Sequence, residues 1–279
     1  MRKKIDTSMF NANHVRTAVI ALLFLIIYSP TISWMMDRWN AHDSYYSHGF
    51  LVPLVSLYVL WIKRAKLSRM KLEPAGWGVG LIVFGLIIHL LSAFFRVYFT
   101  SAFSMIPLIA GLVVYFCGVA IFRETLFAIL FLVFMMPLPL VSIVGITFKM
   151  KIFAAQMANK VINAMGIRAI LDGSVIKMRH THVIVDDVCS GLRSLISLLA
   201  LGTIIAYLSA KLTRTKKVVV FFVAGAMAIL ANIVRIVFMA VTSEVWGANF
   251  TEGPLHTLSG MLVFVVAFLG LIIVVREIE

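Results

Sequence analysis

Acidic side chains are scarce in this chain, with twelve Asp and Glu against twenty-five Lys and Arg in 279 residues, and all charged residues together make up only 13%. A soluble domain carries a far more charged surface. The 62% hydrophobic content and a mean hydropathy of +1.02 exclude one further, because no soluble core hides that much apolar surface. The composition is that of a polytopic membrane protein. Cysteine occurs only at Cys117 and Cys189, which excludes a disulfide-stapled scaffold. No internal repeat or low-complexity tract occurs. No small-residue cleavage site follows the first apolar run, which reads as an uncleaved first span rather than a signal peptide. The net charge of +13 lies in short basic clusters between apolar runs, the pattern of loops facing anionic lipid. Nucleic acid is therefore not expected as a partner.

Apolar runs at about 17–36, 49–62, 75–95, 102–122, 125–146, 190–210, 218–242 and 257–275 predict eight crossings of the roughly 20-residue length a bilayer core requires. The expected fold class is an all-α integral membrane protein, a single polytopic domain over 1–279 with a cytoplasmic segment at 1–16. With the N-terminus inside, fifteen basic residues fall in inner segments and eight in outer ones, and Arg193 and Arg235 lie within spans. That bias predicts both termini on the cytoplasmic side. The 125–146 span is the weakest. Pro137 and Pro139 interrupt it and remove backbone donors that lipid cannot replace, which predicts a kinked or partly re-entrant segment.

The stretch 147–188 is the long polar segment and is expected at the outer face. Phe153, Met157, Val161, Ala164 and Met165 recur at helical spacing opposite Gln156, Asn159, Lys160 and Asn163, which predicts a helix lying in the interface. Asp172-Gly173 is a favoured two-residue turn, so 167–171 is expected to pair with 174–178 as a hairpin. His180 and His182 alternate near Asp186 and Asp187. They read first as a solvated loop and second as a metal site.

The residues that point to chemistry are Cys189, Arg235 and His256, which this topology brings toward one face. A thiol at a membrane surface is a nucleophile for acyl transfer if its pKa is lowered and the oxyanion is stabilised. Taken alone, Cys189 also reads as a small buried hydrophobe. A disulfide to Cys117 is excluded by depth, since Cys117 lies roughly 20 Å deeper at 1.5 Å per helical residue. Arg235 lies roughly 10 Å below the outer surface. An arginine there faces a protein cavity, snorkels outward, or pairs with a carboxylate such as Asp186 or Asp187. His256 opens the last span after Gly253-Pro254-Leu255, either as a polar anchor or in proton transfer. Arg193, one helical turn after Cys189, is placed to lower the thiol pKa or shape a pocket. Ser190 is a weaker nucleophile than its neighbour.

These residues resemble a known family. Cys189-Ser190-Gly191-Leu192-Arg193-Ser194, Asn232-Ile233-Val234-Arg235, His256, Met136-Pro137-Leu138-Pro139 and Asp43-Ser44-Tyr45-Tyr46-Ser47-His48-Gly49 are similar, in order and spacing, to the motifs of the exosortase/archaeosortase family of membrane-embedded cysteine transpeptidases. The resemblance implies Cys189 as nucleophile, with Arg235 and His256 completing the catalytic set; Arg193, by its position, and Asn232 are expected in support, and no cofactor or metal is expected. It implies substrates that are secreted proteins with a C-terminal sorting tail: a short motif such as Pro-Glu-Pro, a transmembrane helix and a basic cluster. The expected site lies at the outer face of the cytoplasmic membrane, with membrane lipid around it and an acceptor the sequence does not identify. Two rivals stand beside this reading. One is a transporter or assembly factor for exported polysaccharide, with Arg235 as an intramembrane anion contact; the other is a membrane protease without an acceptor.

Overall fold

The computed structural model describes residues 7–42, 44–186, 190–247 and 254–279, of which 7–14 and 254–257 are described by their helical backbone alone. The described chain forms ten α-helices and one small sheet: α1 Thr7–Asn40, α2 Leu51–Ile62, α3 Arg64–Leu67, α4 Gly78–Phe94, α5 Tyr98–Cys117, α6 Val119–Phe131, α7 Leu140–Ala164, α8 Leu192–Leu208, α9 Arg214–Trp246 and α10 Pro254–Ile278. Strands β1 Ile170–Asp172, β2 Val175–Lys177 and β3 His182–Ile184 lie between α7 and α8. Contacts divide the chain into two compact units, one of residues 1–41 and 49–137, the other of 42–48 and 138–279.

Small residues and hydroxyls build the first unit. A Cβ on Gly85 would stand 2.9 Å from the Leu108 backbone nitrogen, and one on Gly111 would stand 2.7 Å from that of Ile82. Glycine thus lets α4 and α5 approach backbone to backbone, as small residues do between helices in lipid. Polar side chains tie α1 and α4 to α5: Tyr28 of α1 bonds Ser104 at 2.8 Å, Thr31 of α1 bonds Ser101 at 2.6 Å, and His89 Nδ1 of α4 bonds Ser101 at 2.9 Å. At the α2 end of the unit, Lys63 and Lys66 both reach Glu124, at 3.0 and 2.6 Å.

In the second unit α7 packs on α9 through a face of small and branched residues. Ala154, Ala155, Ala158 and Ile162 meet Ile236 and Ala240, and the sheet adds Ile176 and Val185 to the same core. Leu198, Val220, Ala224, Ala228 and Leu271 form a second core that ties α8 and α10 to α9.

The expected membrane protein of helices is observed, with corrected boundaries. Five helices are long and apolar enough to cross a membrane, at Val15–Asn40, Tyr98–Cys117, Leu140–Ala164, Arg214–Trp246 and Leu258–Ile278. Three apolar helices are shorter, Ser47–Ile62, Gly78–Phe94 and Leu192–Leu208. The expected 125–146 span is replaced by two elements. α6 tightens into a 3-10 turn at Leu132–Met135, Met136 and Pro139 are extended, and α7 starts afresh at Leu140. Two prolines two residues apart push the residues before them out of helical conformation, which accounts for a break rather than a kink. The helix expected to begin at 147 is the later part of α7, whose buried face runs unbroken from Ile143 through Thr147 to Ile162. Lys149 and Lys151 mark no boundary there.

The hairpin forms with a shifted register, Asp172 facing Val175 across Gly173-Ser174, with Gly173 at φ +61°. Glycine takes that left-handed position and sets the turn one residue later than expected. A third strand, β3, completes the sheet by pairing Lys177 with His182.

Candidate active site

The motif around position 190 folds as a helix start. Ser190, 1% exposed, accepts a hydrogen bond on Oγ from the Leu192 N–H at 3.4 Å, so its hydroxyl serves the first turn of α8. Gly191 caps α8 at φ +81° and ψ 2°, a left-handed conformation. A Cβ there would also stand 2.8 Å from the Asn232 side chain. Backbone conformation and close approach both require glycine at this position. Asn232 is buried on α9, and one turn later the same helix presents Arg235.

Arg235 is half-buried and lies flat against α10, where a Cβ built on Gly260 would stand 3.2 Å from its Cζ. Gly260 is the gap in α10 that admits the guanidinium. Arg235, Arg193, Ser194, Ser197, Ser47 and Gly260 line a cavity of about 380 Å³, with Met261, Phe264 and Val265 as its apolar side. That volume falls within the range of small-ligand sites, and no carboxylate is among the described lining residues. Two guanidinium groups and three hydroxyls around one space suit a ligand that carries or develops negative charge. A second cavity of about 180 Å³ lies by Ser190 and Asn232, against Lys149, Met150 and Phe153 of α7.

Of the five residues expected at the site, the structure brings Arg193 and Arg235 to one cavity and sets Asn232 against Gly191. Cys189 lies outside the described residues, as does Asp187. His256 lies in the first turn of α10, one helical turn before Gly260, and is described by backbone alone. Cys117 ends α5 in the first unit.

The alternation of His180 and His182 has a structural use. His180 donates its backbone N–H to Glu244 Oε2 at 3.2 Å and bonds Oε1 through Nδ1 at 2.8 Å, while Thr181 bonds Ser243 at 2.9 Å. These contacts clamp the β2–β3 turn to the end of α9. Among the described residues no group of three His, Cys, Asp or Glu side chains is placed to hold a metal ion.

Sequence reasoning assigned no role to Ser47, His48, Ser194, Ser197 or Gly260. The signal for two of them was there: 190, 193, 194 and 197 form a polar stripe at helical spacing on an otherwise apolar helix. Ser47 and His48 reach the site because residues 42–48 fold with the second unit. Tyr46, 5% exposed, accepts a hydrogen bond on its hydroxyl from the Leu138 N–H at 3.3 Å, and burial pushes its pKa up to about 12. His48 Nδ1 lies 3.2 Å from Ser197 Oγ.

The helical membrane fold and this arginine-lined cavity define a polytopic membrane protein with a polar site among its helices. Its family is shown by comparison: residues 34–273 match the model of the transmembrane exosortases, and the chain belongs to that family. The family is one of membrane peptidases and transpeptidases with a role in protein sorting. Neither the curated proteins nor the solved structures contain a significant match to the chain.

Proposed function

We propose that this exosortase cleaves the C-terminal sorting tail of secreted proteins at the outer face of the cytoplasmic membrane and passes the protein to an acceptor. Cys189 attacks the scissile carbonyl, Arg235 stabilises the oxyanion, and His256 takes the thiol proton and gives it to the leaving amine. The product of this half-reaction is a thioester on Cys189 and a released tail. Arg193 shapes the substrate side of the cavity, and Asn232 holds the turn at Gly191.

The observation that supports this reading is the cavity itself, in which Arg235 and Arg193 meet at the start of the helix that follows the Cys189 motif. Guanidinium donors fixed before the reaction stabilise charge as it develops, at no reorganisation cost. The test is mass spectrometry of the processed C-terminus from cells carrying wild type or Cys189→Ala. A mass above that of the trimmed chain is expected for wild type and identifies the acceptor; unprocessed substrate is expected in the membrane for the variant. The bare trimmed mass would make the protein a protease without transfer. Normal processing by Cys189→Ala would end the covalent mechanism and favour a transporter or assembly factor for exported polysaccharide.

A further inference from the structure

The cavity has an ionisable neighbour that the acylation chemistry does not use. Ser197 stands one turn after Arg193 on α8 and lines the same space. Its hydroxyl bonds His48 Nδ1, and His48 is fixed in turn: the Tyr46 ring stacks on the imidazole at 6.1 Å, and the Tyr46 N–H donates to Ser44 Oγ at 3.0 Å. Ser47, beside His48, lines the cavity as well. A serine hydroxyl facing a cavity and bonded behind to an imidazole is the arrangement by which a weak base passes a proton to a stronger one.

We propose that Ser197 and His48 form a proton relay for the second half-reaction, the transfer of the acyl group from the thioester to the acceptor. The inference rests on the transpeptidase reading above. The acceptor is a primary amine or a water molecule that enters along the α8 wall, where Ser194 and Ser197 face the cavity, whereas His256 belongs to α10. As the acceptor's nitrogen or oxygen adds to the thioester carbonyl, its proton passes to Ser197 Oγ while the Ser197 proton passes to His48 Nδ1. The new C–N or C–O bond forms, the C–S bond breaks, and Cys189 leaves as thiolate. The imidazolium then returns its proton through Ser197 to that thiolate or to solvent, and no electrons are gained or lost. His48 acts through Ser197 and is a positioning and proton-storing residue; Ser197 meets the acceptor.

The test separates the two half-reactions in the full-length enzyme in lipid vesicles, with a substrate labelled on both sides of the scissile bond. Tail release in the first turnover reports acylation, and a hydroxylamine-sensitive protein adduct reports the thioester. For His48→Gln, first-turnover release is expected within about twofold of wild type while resolution of the adduct slows about 10²-fold, so the acyl-enzyme accumulates; for Ser197→Ala, whose hydroxyl lines the cavity, resolution is expected to fall about tenfold or more beyond any loss of first-turnover release. The double variant is expected to be no slower than either single one, since both break one relay. Ser197→Thr keeps a hydroxyl and is expected to recover resolution, which a packing defect would not allow. Normal adduct resolution in His48→Gln, or equal loss of both half-reactions in Ser197→Ala, overturns the relay. Tail release by Cys189→Ala with no adduct in wild type would instead overturn the transpeptidase reading, so the two failures are distinct.

Discussion

At the residue scale the site depends on two glycines that have different tasks. Gly191 holds a left-handed cap with Asn232 against it, whereas Gly260 opens a gap for a guanidinium. Gly191→Ala incurs backbone strain of about 1–3 kcal/mol together with a collision at 2.8 Å, and is expected to lower both the melting temperature and tail processing. Gly260→Ala meets the flexible end of Arg235 at 3.2 Å, so the guanidinium shifts by a few tenths of an ångström. Activity should fall there while the melting temperature holds. Equal thermal losses for the two variants would refute the distinction.

The arginine and histidine separate in the same way. Arg235→Lys should be nearly as damaging as Arg235→Ala, because lysine keeps the charge but lacks the planar fork that spans an oxyanion. A fully active lysine variant would reduce Arg235 to a generic positive charge. His256→Ala should lower the rate and flatten its profile between about pH 5 and 8, where an unperturbed histidine titrates. The measurement is tail cleavage in membranes at matched protein levels.

At the element scale the β2–β3 turn adds a polar clamp on α9 to the apolar packing of the sheet against α7 and α9. Glu244 is mostly covered and accepts two bonds from His180. Glu244→Ala leaves those donors to water and should cost about 1–2 kcal/mol of stability. Proteolysis between α7 and α8 should rise with it. Unchanged melting and unchanged proteolysis would show that the clamp carries no stability. Tyr46 holds another segment, and its phenol titrates at about 12 instead of the ordinary 10. A raised pKa favours the protonated form in the folded state, so this contribution is complete below about pH 10 and fades as pH rises through 12. Tyr46→Phe should remove that part of the alkaline stability loss.

The sequence made the helices legible wherever apolar runs ended in basic clusters or glycine, as at Lys63-Arg64 after α2. It misled where two signals competed. Lys149 and Lys151 looked like the end of a span, yet the small residues Ala154, Ala155 and Ala158 carry α7 onward against α9. Burial against a partner helix outweighs two lysines, one of which lines the cavity beside Ser190 while the other lies over the Phe148 ring. The pair of arginines was visible from the motifs. The serine wall was not, because Ser47 and Ser197 are 150 positions apart and only the docking of residues 42–48 joins them.

At the scale of the whole molecule, the basic residues predict an orientation, and the break at Met136–Pro139 is where that prediction is most exposed. With the N-terminus inside, the hairpin and the Arg235 cavity belong to the outer side and the Lys63–Lys71 cluster to the inner. The charge-based topology needs an odd number of crossings between α5 and α8; an even number, with α6 and α7 each crossing once, would reverse the second unit and put its site in the cytoplasm, away from any secreted substrate. Single cysteines decide this in a chain whose native thiols are replaced by alanine, placed at Arg179 in the exposed β2–β3 turn and at Ser68 after α3. Arg179→Cys should react in intact cells with a membrane-impermeant thiol reagent, and Ser68→Cys only after the cells are opened. Restoring Cys189 alone should add labelling from outside, and restoring Cys117 alone should add none. Labelling of Arg179→Cys and Ser68→Cys from the same side would break the charge-based topology, and with it the placement of the cavity where sorting tails arrive.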